Sequence, residues 1–295
     1  MLTGLYPPIT TPFDRGRVDT ARLAENIERW NQLPIDGYVV LGSNGEAPLL
    51  EEHERSAVVR AAYEAIPPDR TMIVGAGRES TEATIRSVRE AFELGADAAL
   101  VGVPTYYRPA MSHGVLRDHY LRVADASPGP VLLYSVPFFT GLPIAPELFA
   151  DLIGHERIAG IKESARDAGA MAAMSQAARR TGKGVSLLVG TAGVVAEGIA
   201  AGATGAVVAV GCVASTLCAR IIERAREGRQ AEAVKANRIL APLAEAVTVR
   251  HGIGGLKAAL DLIGFHGGVP RPPLPPASPE ARAEIAALIS ALAEA

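Results

Sequence analysis

Cysteine is nearly absent: Cys212 and Cys218 are the only two in 295 residues. Two cysteines in so long a chain are no disulfide framework, and the expectation is a protein of the reducing cytoplasm. An excess of positive charge is also missing. The formal net charge is −3, with charged residues spread along the chain rather than gathered in tails. No basic surface therefore argues for nucleic acid. Long apolar runs are absent too, and no stretch approaches the roughly 20 residues that span a bilayer. The nearest, "AAGATGAVVAVGCVAS", carries glycines that suggest a strand and its turns. The N-terminal "MLTGLYPPITTPFDRGR" lacks the basic and then apolar order of a signal peptide. No H-E-x-x-H, paired-cysteine, G-x-S-x-G or Walker pattern occurs, so no metal and no cofactor are expected. The histidines are scattered. His53, His113, His119 and His155 fall in helical or loop contexts, and His251 and His266 lie in the tail. Most read as surface or packing residues.

What is present is a 48% apolar composition arranged in short runs. "GYVVLG" (37–42), "TMIVGAG" (71–77), "DAALVGVP" (97–104), "PVLLYSVP" (130–137), "RIAGIKES" (157–164), "VSLLVGT" (185–191) and "GAVVAVG" (205–211) are nearly continuous in Val, Ile, Leu and Ala. Continuous rather than alternating apolar runs mark parallel strands buried on both faces. "GLYPPITTPF" is a plausible first strand, weakened by its prolines. Between the runs lie segments of helical spacing. "TARLAENIERWNQL" puts Leu23, Ile27 and Trp30 on one stripe, and "STEATIRSVREAFELG" does the same with Ala83, Val88 and Phe92. Thr20 and Ser80 are candidate N-caps, and Gly95 a candidate C-cap. A strand followed by a helix, about eight times over, implies right-handed βα units. The economical solution is an α/β fold, a (β/α)8 TIM barrel spanning 1–225, with extra C-terminal helices in 226–295. An open doubly wound sheet is the alternative, but no G-x-G-x-x-G follows the first strand. "GGVPRPPLPPASPE" (267–280) reads as an extended connector.

Chemistry in such barrels collects at the C-terminal strand ends. Read in order, those ends carry Ser43-Asn44-Gly45-Glu46, then Thr105-Tyr106-Tyr107-Arg108, then Tyr134 and Ser135, then Lys162 and Ser164, then Thr191. Each has an ordinary explanation. Gly42 and Gly45 suit a tight turn, Glu46 could cap a helix or pair with a backbone N–H, and a strand-end tyrosine usually packs. Their convergence on one rim is the stronger signal. Lys162 ends the apolar run before "ES", where desolvation opposes its charge. Burial disfavours the ammonium form of an amine, and the neutral amine attacks a carbonyl. Enamine chemistry on a 2-oxo acid then needs a proton shuttle, a carboxylate anchor and an apolar wall. A tyrosine or serine suits the first, and a Gly-Ser-Asn-Gly turn the second.

With these residues in place, the sequence resembles the dihydrodipicolinate synthase and N-acetylneuraminate lyase superfamily of class I aldolases. The resemblance rests on "YPPITTPF", "GSNGEAP", "ADAALVGVPTYYRP", "VLLYSVP" and "GIKES", in that order. It implies that Lys162 forms the Schiff base, that Tyr134 shuttles protons with Ser43 in the relay, and that Ser43 with Asn44 holds the pyruvyl carboxylate. Tyr107 matches a tyrosine that family members insert into a neighbour's site, which implies a homodimer or homotetramer. The Val207 carbonyl matches a backbone contact. Synthases of this family usually carry an arginine where this chain has Phe139, and a phenyl ring makes no bidentate carboxylate contact. The turn reads Ser43-Asn44 in place of Thr-Thr, and Thr191-Ala192 stands where acidic residues are common. With "TYYR" and "AVTVRHGIGGLKAALDLIGFHGG", these departures look most like 4-hydroxy-2-oxoglutarate aldolases, with Ser164 touching a substrate hydroxyl. Dihydrodipicolinate synthases and 2-keto-3-deoxy sugar-acid aldolases or dehydratases are the alternatives. A binding protein on the same scaffold is the non-enzyme reading. The expected partner is a small 2-oxo acid, with neither nucleic acid nor membrane.

Overall fold

Seven of the apolar runs and the N-terminal segment do become strands. The computed structural model describes residues 1–293. Its barrel strands are β1 (Gly4–Leu5), β2 (Gly37–Val40), β3 (Thr71–Gly75), β4 (Ala98–Gly102), β5 (Val131–Ser135), β6 (Ile158–Glu163), β7 (Ser186–Val189) and β8 (Gly205–Ala206). From β2 to β8 each pairs in parallel with its sequence neighbour, and β1 pairs with β8. A bridge between Pro8 and Val39 joins the first segment to β2, so the sheet closes. This is a (β/α)8 barrel.

The first strand is shorter than its run, for a backbone reason. Pro7 and Pro8 have no N–H to give a ladder, so only their carbonyl sides contribute: Val39 N donates to Pro7 O at 3.0 Å. The last run is also cut short. Pairing stops at Ala206, and Ala209–Cys212 turn into a 3-10 helix.

The expected helices form, with adjustments. Leu23, Ile27 and Trp30 are fully buried on the Thr20–Trp30 helix. Its cap is Asp19 rather than Thr20, because the Asp19 carboxylate accepts from Arg22 N at 3.0 Å. Ser80 does cap Thr81–Glu93, but that helix buries Thr84, Val88 and Ala91 in place of Ala83 and Phe92. Gly95 follows the helix end at φ +96°, a left-handed conformation that glycine adopts freely.

Two side-chain layers result. Val39, Ile73, Leu100, Leu132, Leu188 and Val207 fill the barrel interior. The opposite strand faces meet the helices in a second core. That core runs on without a break into Leu240, Leu256, Leu260 and Ile285 of the C-terminal helices Gln230–Glu245, Gly252–Leu262 and Pro279–Ala293. No described helix is long and apolar enough to cross a membrane.

Candidate active site

Register places the central pair. Tyr134 on β5 lies directly beside Lys162 on β6, and side chains opposite each other on adjacent strands share a face. Both therefore project toward the barrel axis at the C-terminal rim. Lys162 is 4% exposed, and its Nζ sits 4.2 Å from the centre of the Tyr134 ring. Among the described residues it has neither a hydrogen-bond nor an ion-pair partner. The Tyr134 hydroxyl lies 3.1 Å from Ser43 Oγ, the first residue of the turn after β2. Lysine, tyrosine and serine thus form one contiguous set drawn from three strand ends.

The turn owes its shape to two residues with left-handed φ, Leu41 (+56°) and Glu46 (+57°), which bracket the 3-10 turn Ser43–Gly45. Asn44 is fixed by a 3.3 Å bond from its Nδ2 to Pro8 O. Ser43, Asn44, Tyr134, Lys162, Ser164 and Val207 all line one cavity of about 560 Å³. Much of the rest of its wall comes from 247–254 and from the 274–278 connector, so the C-terminal segment roofs the barrel mouth.

Ser164 carries a hydroxyl that no described residue satisfies. Its Oγ is buried without a partner, while its N donates to Ser135 O (2.9 Å) and its carbonyl accepts from Thr191 Oγ1 (2.9 Å). Gly190 makes room for it: a Cβ there would stand 2.0 Å from Ser164 Oγ. Glu163 points the other way from Lys162. Burial raises its carboxyl above the usual range, against hydrogen bonds from Ser135 and from the Ala165 and Ser164 amides.

Phe139 lies at the cavity rim, 59% exposed and packed edge-on against Phe138 at 5.0 Å. The Arg166 guanidinium covers the Phe138 ring at 5.4 Å, and Arg166 and Arg250 both line the cavity. A second pocket of about 410 Å³ joins the site at Ser43, Tyr134 and Phe139 and contains Arg55 and Arg78. Burial pulls Arg78 down to about 10, with Arg55 adding to the effect. Tyr107 is the one proposed site residue that the fold leaves outside. It is 71% exposed, packs on Tyr106 and does not line its own chain's cavity.

Sequence reasoning missed the roof, including Arg250 and His251, and missed Arg166. It also took Glu46 for a cap or a partner of backbone N–H. Glu46 is buried and does accept from Arg271 N, but its other oxygen meets the Lys257 ammonium at 2.6 Å.

Comparison with known proteins now separates families that share this barrel. The profile of the dihydrodipicolinate synthetase family matches residues 1–292. The chain belongs to that family. A curated relative from Anaeromyxobacter dehalogenans, named 4-hydroxy-tetrahydrodipicolinate synthase, is 35% identical over 96% of this chain and 95% of its own length. One of the same name from Methanothrix thermoacetophila is 31% identical over 100% and 98%. The dihydrodipicolinate synthase structure from Thermotoga maritima superposes with TM-score 0.95 at 27% identity, covering 99% of each chain. A dihydrodipicolinic acid synthase family protein from E. coli, solved with pyruvate, gives 0.92 at 26%, again over 99% of each. Members of this dihydrodipicolinate synthetase family are lyases of the aldolase kind. The relatives carry the synthase name, which the sequence reading placed second to 4-hydroxy-2-oxoglutarate aldolase.

Proposed function

We propose that this chain is a Schiff-base lyase of pyruvate-derived 2-oxo acids, cleaving a short 4-hydroxy-2-oxo acid such as 4-hydroxy-2-oxoglutarate. The supporting observation is the unpartnered Lys162 ammonium beside Tyr134 and Ser43 in a roofed cavity. The neutral amine attacks C2 of the oxo acid, and loss of water gives the imine. Its protonated nitrogen draws the electron pair of the C3–C4 bond. The C4 hydroxyl passes its proton to the Tyr134–Ser43 pair as that bond breaks, releasing an aldehyde. For 4-hydroxy-2-oxoglutarate the aldehyde is glyoxylate. The enamine left on Lys162 takes a proton at C3, and water returns pyruvate and free lysine. The Ser43–Asn44 turn anchors the C1 carboxylate, and Ser164 Oγ, buried and without a partner, suits the substrate hydroxyl.

The second reading is 4-hydroxy-tetrahydrodipicolinate synthase, favoured by the names of the curated relatives. It condenses the same enamine with aspartate semialdehyde, whose carboxylate needs a cationic partner. Phe139 supplies none, although Arg166 and Arg250 stand on the cavity wall. Both readings share Lys162, so two measurements separate the questions. Borohydride with pyruvate should trap one adduct, on Lys162, that vanishes in Lys162→Ala; a trapped adduct elsewhere, or a strict need for a divalent metal, overturns the shared chemistry. On one preparation, kcat/KM for cleavage should exceed that for semialdehyde condensation. A condensation tenfold faster overturns the substrate assignment and leaves the lysine chemistry standing. The exposed Tyr107 fits assembly into a homodimer or homotetramer in which it completes a neighbour's site, and the scarcity of cysteine fits a cytoplasmic enzyme.

A further inference from the structure

Lys257 takes no part in the chemistry above, yet it is completely buried, within the largely apolar Gly252–Leu262 helix, whose other charged residue is Asp261. An ammonium has three protons to satisfy, and this one meets three acceptors. They are Thr11 O at 2.9 Å, Val269 O at 3.3 Å and Glu46 Oε1 at 2.6 Å. It also lies 4.3 Å from the centre of the Phe13 ring. The second Glu46 oxygen accepts from Arg271 N at 2.7 Å. The Arg271 guanidinium then reaches on to Leu49 O and to both oxygens of Glu54.

The other end of this network is the turn that begins with Ser43 and Asn44. Glu46 closes it, donating its N–H to Ser43 O at 3.1 Å. Gly45 O accepts from Thr11 Oγ1 at 2.7 Å, and Thr11 O is one of the three Lys257 acceptors. One ammonium therefore grips the turn twice, through the Glu46 carboxylate and through Thr11. A left-handed φ on a non-glycine residue persists only where its surroundings hold it, and these contacts hold Glu46.

We propose that the Lys257–Glu46 ion pair is a positioning device, by which the C-terminal helix sets the turn whose hydroxyl and amide groups receive the carboxylate of the 2-oxo acid. The proposal rests on the carboxylate-anchor role assigned to Ser43–Asn44. Such an anchor works only within a fraction of an ångström of its proper place. A pair that merely stabilises the fold would change melting and leave pyruvate affinity alone.

Removing both charges of a buried pair is often tolerated, whereas removing one leaves the other uncompensated. The test uses Glu46→Gln, Lys257→Met and their double variant. Each is read by thermal midpoint and by the pyruvate concentration giving half-maximal borohydride trapping on Lys162. The double variant should recover much of the midpoint lost by the Lys257→Met single variant. Its half-saturation should stay raised about tenfold or more, with full trapping at saturating pyruvate. Glu46→Gln, the mildest change, should move half-saturation the same way. Asn26→Ala is the control, since Asn26 ties the first helix to the backbone of His266 away from the turn. It should lower the midpoint and leave half-saturation unmoved. An adduct in the wild type with unmoved half-saturation in the variants overturns this proposal alone, as does an equal shift in Asn26→Ala. An absent wild-type adduct overturns the Schiff-base reading and this proposal with it.

Discussion

Tyr134→Phe separates proton transfer from packing more cleanly than any other single change. The substitution keeps the ring that lies 4.2 Å from Lys162 Nζ and removes only the hydroxyl, 3.1 Å from Ser43 Oγ. One neutral hydrogen bond contributes about 0.5–1.5 kcal/mol net, and Ser43 borders the open cavity, where water can replace the lost partner. The thermal midpoint should therefore fall by a few degrees at most. A positioned acid–base group contributes about 10²–10⁴ in rate, which is about 3–5 kcal/mol of barrier. The catalytic effect exceeds the stability effect several-fold, so the two can be told apart on one sample. The assay is pyruvate release from saturating 4-hydroxy-2-oxoglutarate, with a thermal melt of the same preparation. Loss of kcat by about 10² or more with near-native melting fits the shuttle. A kcat within threefold of wild type refutes it and returns Tyr134 to a packing role. Ser43→Ala should cost less, because the tyrosine hydroxyl itself is kept.

Phe139→Arg should raise kcat/KM for semialdehyde condensation by about tenfold or more, since a guanidinium pairs with a carboxylate through two charged hydrogen bonds; no gain would show that the rim arginines already serve. Gly190→Ala puts a Cβ 2.0 Å from Ser164 Oγ, so it should lower kcat/KM for cleavage about tenfold while pyruvate still forms its adduct; unchanged cleavage would remove Ser164 from the substrate site. His119 is 5% exposed, and burial pulls its pKa from 6.5 to about 4. Between those values the unfolded chain binds a proton that the folded chain refuses, so this contribution is complete above pH 6.5 and is lost as pH falls toward 4. The full difference is about 3 kcal/mol, and His119→Phe should flatten the midpoint against pH across that window; an unchanged slope would refute the assignment.

The strands were legible because parallel strands in a closed barrel are covered on both faces, which leaves continuous apolar runs in the sequence. Legibility failed where backbone chemistry, not hydropathy, decides. Pro7 and Pro8 cut the first strand short. Thr84 is buried despite its hydroxyl because that hydroxyl bonds to Ser80 O (2.9 Å) and Arg78 O (3.2 Å), which an apolar pattern does not register. The cavity roof was invisible because nothing local says which way the tail folds back. The two buried lysines show the limit most sharply. Lys162 and Lys257 both interrupt apolar stretches, and by sequence alone the same exception marks each. Their partners differ. Lys257 is met by two backbone carbonyls and a carboxylate, so its amine is held in place and is not offered to a substrate. Lys162 has an aromatic face, a hydroxyl pair close by and open cavity, so its amine is left open to a substrate. Burial of an ammonium raises the question of function. The satisfaction of its three protons answers it, and that requires partners far apart in the chain, which only the folded structure brings together.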